Sequence, residues 1–151
     1  MKRTGWRLVP AGQSNAAFDG EGARRYGGRW NSVGVPMVYG SEHQSLAVLE
    51  VRVHIPMTCP YKSFAFDFDE AMMQTFPLQQ LPKDWQHEPP PLSLQRLGDE
   101  WVKAGDSVIL AVPSAIVPNE LNLLLNPRYP NFAKIDIHAA TDFVFDRRLF
   151  H

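Results

Sequence analysis

The stretch from Gly22 to Val51, "GARRYGGRWNSVGVPMVYGSEHQSLAVLEV", decides how this chain folds. Its middle, "PMVYG", is a short apolar run of the kind that makes a strand. Ser41 follows, with Gln44 three residues later, a pairing that reads as a capping box. The spacing predicts a helix from about Glu42 to about His54, stopped before Pro56 because the residue ahead of a proline resists the α region. On that helix Leu46, Leu49, Glu50 and Val53 share a side, since residues three and four apart are neighbours. The three apolar residues are expected to face the core. The stretch therefore poses a question: Glu50 stands where a core residue belongs.

Outward from this strand and helix, the pattern is of short strands and few helices. "WRLV" reads as a strand, and the Gly-, Ser- and Asn-rich run from Ala11 to Pro36 reads as loop. Phe64, Phe66 and Phe68 in "SFAFDF" alternate, as in a strand with one buried side. The segment "MMQTFPLQQLPKDWQHEPPPLS" holds five of the 13 prolines and reads as a surface loop. Leu94, Leu97 and Trp101 fall at helical spacing in "SLQRLGDEWVKAG", with Gly105 as the stop. "SVILAVP" is a buried-type strand closed by Pro113. "NELNLLLNPRYPNF" reads as irregular, and "KIDIHAA" and "DFVFD" as two more strands. Strands and helices do not alternate strictly, so the expected class is α+β, a mixed sheet in one compact domain spanning 1–151.

Composition narrows the function classes. The chain has 151 residues, enough for one domain with its own core. Lys and Arg number 15 against 16 for Asp and Glu, so no basic footprint for nucleic acid is expected, and a nuclease is disfavoured. Cys59 is the single cysteine, which forbids an internal disulfide and suits a reducing, cytoplasmic setting. The opening "MKRTGWRLVPAG" has no long apolar run, so neither a signal peptide nor a membrane span is expected. The five histidines are scattered and there is no CxxC or HExxH, so no metal is expected.

Two residues carry competing readings. Glu50 either lies at the edge of the apolar stripe, reaching water or pairing with Arg52, or is held at the floor of a cleft to stabilise positive charge. Gly27 and Gly28 allow tight turns and close approach of a ligand to the backbone. Arg29 beside them is either a solvated turn residue or a fork for a phosphate or carboxylate. "GEGARRYGG" is neither a dinucleotide fingerprint nor a P-loop. Ser114 in "VPSA" lacks the nucleophile elbow of a hydrolase.

Taken together, "GEGARRYGGRWNSVGVPMVYGSEHQSLAVLEV", "LGDEWVKAG", "LAVPSAIVPNELNLLLNPRYPNF" and "FVFDRRL" resemble the RES-domain family, the toxins of bacterial RES–Xre toxin–antitoxin pairs. The resemblance runs from about Trp6 to about Leu149. The family's Arg, Glu and Ser fall on Arg29, Glu50 and Ser114, with Tyr39, Asn122 and Asn126 at further family positions. "GSEHQS" and the proline-rich "KDWQHEPPPLS" depart from the pattern and are expected to touch none of the first three.

The resemblance implies a fold similar to ADP-ribosyltransferases and NAD as substrate. It implies cleavage by phosphorolysis or hydrolysis, with inorganic phosphate as the favoured co-substrate, or transfer of ADP-ribose to a protein. It also implies an Xre-type helix-turn-helix antitoxin as partner. On this reading Glu50 stabilises an oxocarbenium-like transition state or binds a ribose hydroxyl. Arg29 holds pyrophosphate or phosphate, with Arg24 and Arg25 adding local positive charge. Tyr39 stacks on nicotinamide or bonds ribose, Ser114 orients a ligand or Glu50, and Asn122 and Asn126 contact the dinucleotide. The competing class is a non-catalytic binding module in which Arg29 and Glu50 form a structural ion pair. A homodimer is a further expectation if "NLLLNP" is an exposed apolar loop.

Overall fold

Phe64, Phe66 and Phe68 do share one buried side of a strand, and that strand is the spine of the molecule. The computed structural model describes residues 1–151. β1 (Lys2–Pro10) and β3 (Tyr61–Asp69) pair antiparallel along their whole lengths, from Lys2 opposite Asp69 to Pro10 opposite Tyr61. β2 (Val38–Ser41) lies on the other edge of β1. Beyond it come β6 (Leu121–Leu125), β5 (Ile109–Pro113) and the short β4 (Met73–Thr75), the last parallel to β5. β7 (Asp136–Ile137) and β8 (Thr141–Phe143) both pair with β3. The mixed sheet with few helices is the α+β class that the sequence pattern predicts.

The two sides of the sheet bury different cores. On one side Phe66, Phe68, Val38, Ile109, Ala111, Leu123 and Leu125 form the largest cluster, closed by Ile135 and the partly buried Phe132. Gly5 and Gly40 make room there: a methyl group on either would run into the Phe66 ring, at 2.4 Å and 3.1 Å. The other side is covered by two helices set apart. α3 (Leu92–Ala104) packs Leu94 and Trp101 over Leu110, Val112 and Leu124 of β5 and β6. α2 (Gln44–Arg52) packs Ala47, Val48 and Val51 against Leu8, Tyr61 and Phe145. β2 and the start of β6 run between these two footprints.

Several expectations are corrected. "NLLLNP" is β6, a central strand: Leu123, Leu124 and Leu125 are buried within the sheet, which removes the exposed loop that suggested a homodimer. The segment read as loop before β2 contains a six-residue helix, α1 (Glu21–Tyr26), bracketed by Gly20 and Gly27, both at a positive φ of 74°. Ser41 is not an N-cap. It ends β2, and α2 begins at Gln44 with no side-chain cap. Leu49 and Val53 do not face the core and are 37% and 58% exposed. α2 is rotated so that Leu46, Ala47, Val48 and Val51 seat it instead, which leaves Glu50 at the margin of the contact.

Candidate active site

Glu50 points toward the strands that run between the two helices. Its Oε2 accepts a hydrogen bond from Ser114 Oγ at 2.8 Å and another from Asn122 Nδ2. Its Oε1 accepts no hydrogen bond from the protein, and no cation lies within ion-pair distance. Arg52, the neighbour on the same helix, is used elsewhere: it donates to Leu149 O and Ile55 O, and its guanidinium lies 4.2 Å from the centre of the Phe150 ring. The carboxylate is thus oriented by neutral donors while its charge is left unpaired. A half-buried carboxylate in that state attracts developing positive charge.

The two donors are themselves fixed. Ser114, fully buried at the end of β5, accepts from the amides of Ile116 and Val117, both at 3.1 Å. A hydroxyl has one donor and two acceptor sites, so Ser114 is saturated and has no free role as a nucleophile. Asn122 is oriented by Ser41, whose Oγ donates to Asn122 Oδ1 at 2.7 Å and so turns the amide nitrogen toward Glu50. Ser41 and Asn122 are register partners on β2 and β6, and paired residues of antiparallel strands project to the same side. Sequence reading assigned Ser41 to a cap and missed this role. The signal was the alternation Tyr39, Ser41 in "VYGS".

Arg29 sits across the same side, on the loop after α1. Its Nη1 donates to Trp85 O at 3.0 Å and His87 O at 2.8 Å, and its Nη2 pairs with Glu88 at 2.8 Å. The proline-rich segment therefore does touch Arg29, contrary to expectation. Its Gln86 also donates to Ala115 O at 3.1 Å, beside Ser114. The segment is a strap linking the two halves of the site. Arg29 and Glu50 do not form an ion pair, which removes the geometry of the binding-module reading. Arg24 is turned to Glu21, donating to both carboxylate oxygens, and Arg25 is exposed.

The Arg29 loop is rigid because Asn31, Tyr39 and α3 hold it. Asn31, completely buried, donates to Ala23 O at 2.8 Å, Val35 O at 3.0 Å and Ser32 O at 3.2 Å. Tyr39 Oη donates to Asn31 Oδ1 at 2.6 Å and accepts from Trp30 N at 3.0 Å. Burial pushes its hydroxyl well above the ordinary phenol range, against the bond from Trp30 N. The hydroxyl's one proton and one of its acceptor positions are spent inside the protein, so Tyr39 supports the loop. From α3, Gln95 donates to Gly28 O at 2.9 Å and Asp99 accepts from Ser32 N at 2.9 Å. A methyl group on Gly98 would lie 1.6 Å from Trp30 O, so helix and loop touch backbone to backbone. Asn31, Gln95, Gly98 and Asp99 were not legible as site residues.

Asn126 stands apart. It lies at the far end of β6 from Asn122, about 13 Å along the strand at strand rise. Its Oδ1 accepts from Arg128 N at 3.1 Å in a turn. Two surface hollows of about 160 and 400 Å³ lie elsewhere, and neither is lined by Arg29, Glu50 or Ser114. No helix is long and apolar enough to cross a membrane.

This arrangement can be set beside known proteins. Residues 4–146 match the RES domain family. A protein of Photorhabdus laumondii named "Toxin Res" is 38% identical over 148 residues, 95% of each chain. A protein of a Sphingobium species named "Prs ADP-ribosylating toxin" is 33% identical over 157 residues, 99% of this chain and 98% of the relative. Among solved structures, the M. tuberculosis MbcT–MbcA toxin–antitoxin complex matches with a TM-score of 0.76 at 20% identity, covering 95% of this chain and 85% of that one. That last likeness is one of fold. The match across almost the whole chain, with Arg29, Glu50 and Ser114 disposed around one side of the sheet, makes this protein a member of the RES-domain family.

Proposed function

We propose that this protein is the toxin of a bacterial toxin–antitoxin pair, a single RES domain that destroys cytoplasmic NAD by breaking the bond between nicotinamide and ribose. The observation that carries the reading is Glu50, a carboxylate with one oxygen held by Ser114 and Asn122, the other free, and no cation beside it. Breaking the glycosidic C–N bond sends its electron pair to the nicotinamide nitrogen. The pyridinium leaves as neutral nicotinamide and needs no general acid. The ribose carbon is left with oxocarbenium character, and a fixed negative charge lowers the energy of that transition state. One carboxylate then suffices where a glycosidase uses two. Arg29 supplies the positive charge for the pyrophosphate. Ser114, Asn122 and Ser41 position Glu50, while Tyr39 and Asn31 position Arg29.

The acceptor we favour is inorganic phosphate, on the family resemblance. Arg29 is the cation we assign to it, since Arg24 is paired with Glu21. ADP-ribosyl transfer to a protein is a second reading, favoured by the 33% identity to the Sphingobium relative. The partner we assign is an antitoxin of the Xre helix-turn-helix type, in line with the fold shared with a toxin from a toxin–antitoxin complex. The test is to incubate the purified chain with NAD, with and without phosphate, and to separate products by mass. Free nicotinamide with phosphorylated ADP-ribose is expected. Plain ADP-ribose at a phosphate-independent rate makes the protein a glycohydrolase, label retained on protein makes it a transferase, and unchanged NAD removes the reading.

A further inference from the structure

Arg29 has five N–H donors in a planar fork, and their use in the folded chain can be counted. Both protons of Nη1 are taken by the carbonyls of Trp85 and His87. The edge left for a second fork is Nε with Nη2, and Nη2 already holds the Glu88 carboxylate at 2.8 Å. Nε donates to no protein group. A phosphate oxygen pair needs two parallel donors, so it must come to this edge. Nη2 has a second proton, so Glu88 takes one donor of a nitrogen that a ligand anion also needs, and it neutralises the charge that would draw the anion there.

The two partners differ in how firmly they are placed. The Arg29 side chain is 20% exposed and anchored through Nη1, whereas Glu88 is 68% exposed and has no second partner. An ion pair with one partner so open to solvent is held weakly. Around it the strap is secured by Trp85, buried among Trp30, Val112 and Leu124, and by Gln86 on Ala115 O. The carboxylate can swing out while the strap's anchors stay in place.

We infer that Glu88 is an internal competitor for the anion site of Arg29, and that it sets the affinity of the protein for pyrophosphate-bearing ligands. A diphosphate, with more charge and more acceptor oxygens than one carboxylate, displaces Glu88 from Nη2. A singly charged carboxylate such as acetate gains nothing by the exchange. The inference rests on the reading of Arg29 as a pyrophosphate site, but it concerns binding and is independent of whether NAD is cleaved.

The test is calorimetric titration with ADP, which carries the pyrophosphate and has no nicotinamide to lose. Glu88→Gln is expected to tighten ADP binding about three- to tenfold, while Glu88→Asp, which keeps the charge, stays near the wild type. The gain is expected to vanish when Glu88→Gln is combined with Arg29→Gln. Circular dichroism confirms that each variant folds. Equal or weaker ADP binding by Glu88→Gln, absence of binding by both it and the wild type, or a gain that persists without Arg29 overturns the inference. A protein that shows the expected gain yet leaves NAD intact keeps the competitor and loses the proposed reaction.

Discussion

The two oxygens of Glu50 have unlike surroundings: Oε2 is held by two side chains and Oε1 by none. Replacement by glutamine keeps the shape and one acceptor but removes the charge. Glu50→Gln is expected to fold normally and to lower kcat for NAD cleavage by on the order of 10²–10³-fold, with a smaller change in KM. Steady-state kinetics on the folded variant decide it, and wild-type turnover removes Glu50 from the chemistry. Ser114 acts through Glu50 and through the chain. Ser114→Ala leaves the amides of Ile116 and Val117 without their acceptor, so a loss of about 1–3 kcal/mol in urea unfolding is expected beside a fall in kcat. A stability equal to the wild type's would show that these amides find water instead. The sequence singles out Arg29, Glu50 and Ser114 as one site only through the family resemblance, and the structure brings Ser114 and Glu50 into contact. Ser41 and Asn31 were not legible, because their work is done by hydrogen bonds to residues that only the fold brings near.

At the scale of elements, α3 and the Arg29 loop meet with no room for a side-chain carbon at Gly98. Gly98 is needed for space, not for its backbone freedom, since it lies inside a helix where alanine has the better intrinsic propensity. Gly98→Ala should therefore stabilise an isolated helix and destabilise this protein. The new methyl would meet Trp30 O at 1.6 Å, so loop and helix must separate. A loss of about 1–3 kcal/mol or more is expected, with reduced ADP affinity because Arg29 moves with Trp30. A melting temperature at or above the wild type's would contradict the packing. Strand β3 and helix α3 were readable because their apolar periodicity is regular, and β5 because it is an unbroken apolar run. β6 was missed because Asn122, Asn126 and Pro127 break up its pattern, although a central strand buries both sides and needs no alternation. The rotation of α2 was missed for a related reason: Leu49 and Val53 supply an apolar stripe that the fold leaves in water.

Across the whole molecule the long β1–β3 pair fixes acid stability as well as shape. Asp67 on β3 accepts from the Thr4 hydroxyl on β1 and meets His138 at 2.7 Å and Lys2 at 3.2 Å. Thr4 first, then His138 and Lys2, hold its carboxyl down at about 2, against burial, from an ordinary value of 3.8. Because the folded value is the lower one, the stabilisation is fully present above pH 3.8 and is lost as pH falls toward 2. Asp67→Asn is expected to be less stable than the wild type at pH 7, with the difference shrinking between pH 4 and 2. Urea midpoints measured across that range check it, and parallel curves would clear Asp67. A second long-range tie has a consequence in time. The helix that carries Glu50 is pinned by Phe145, Leu149 and Phe150, about a hundred residues further along the chain. Ser114 and Asn122, which aim its carboxylate, also follow it by 64 and 72 residues. A nascent chain thus makes Glu50 well before the residues that aim it. On the proposed reading, chains arrested on the ribosome before Phe143 are expected to leave NAD untouched, so that activity waits for the segment that seats α2.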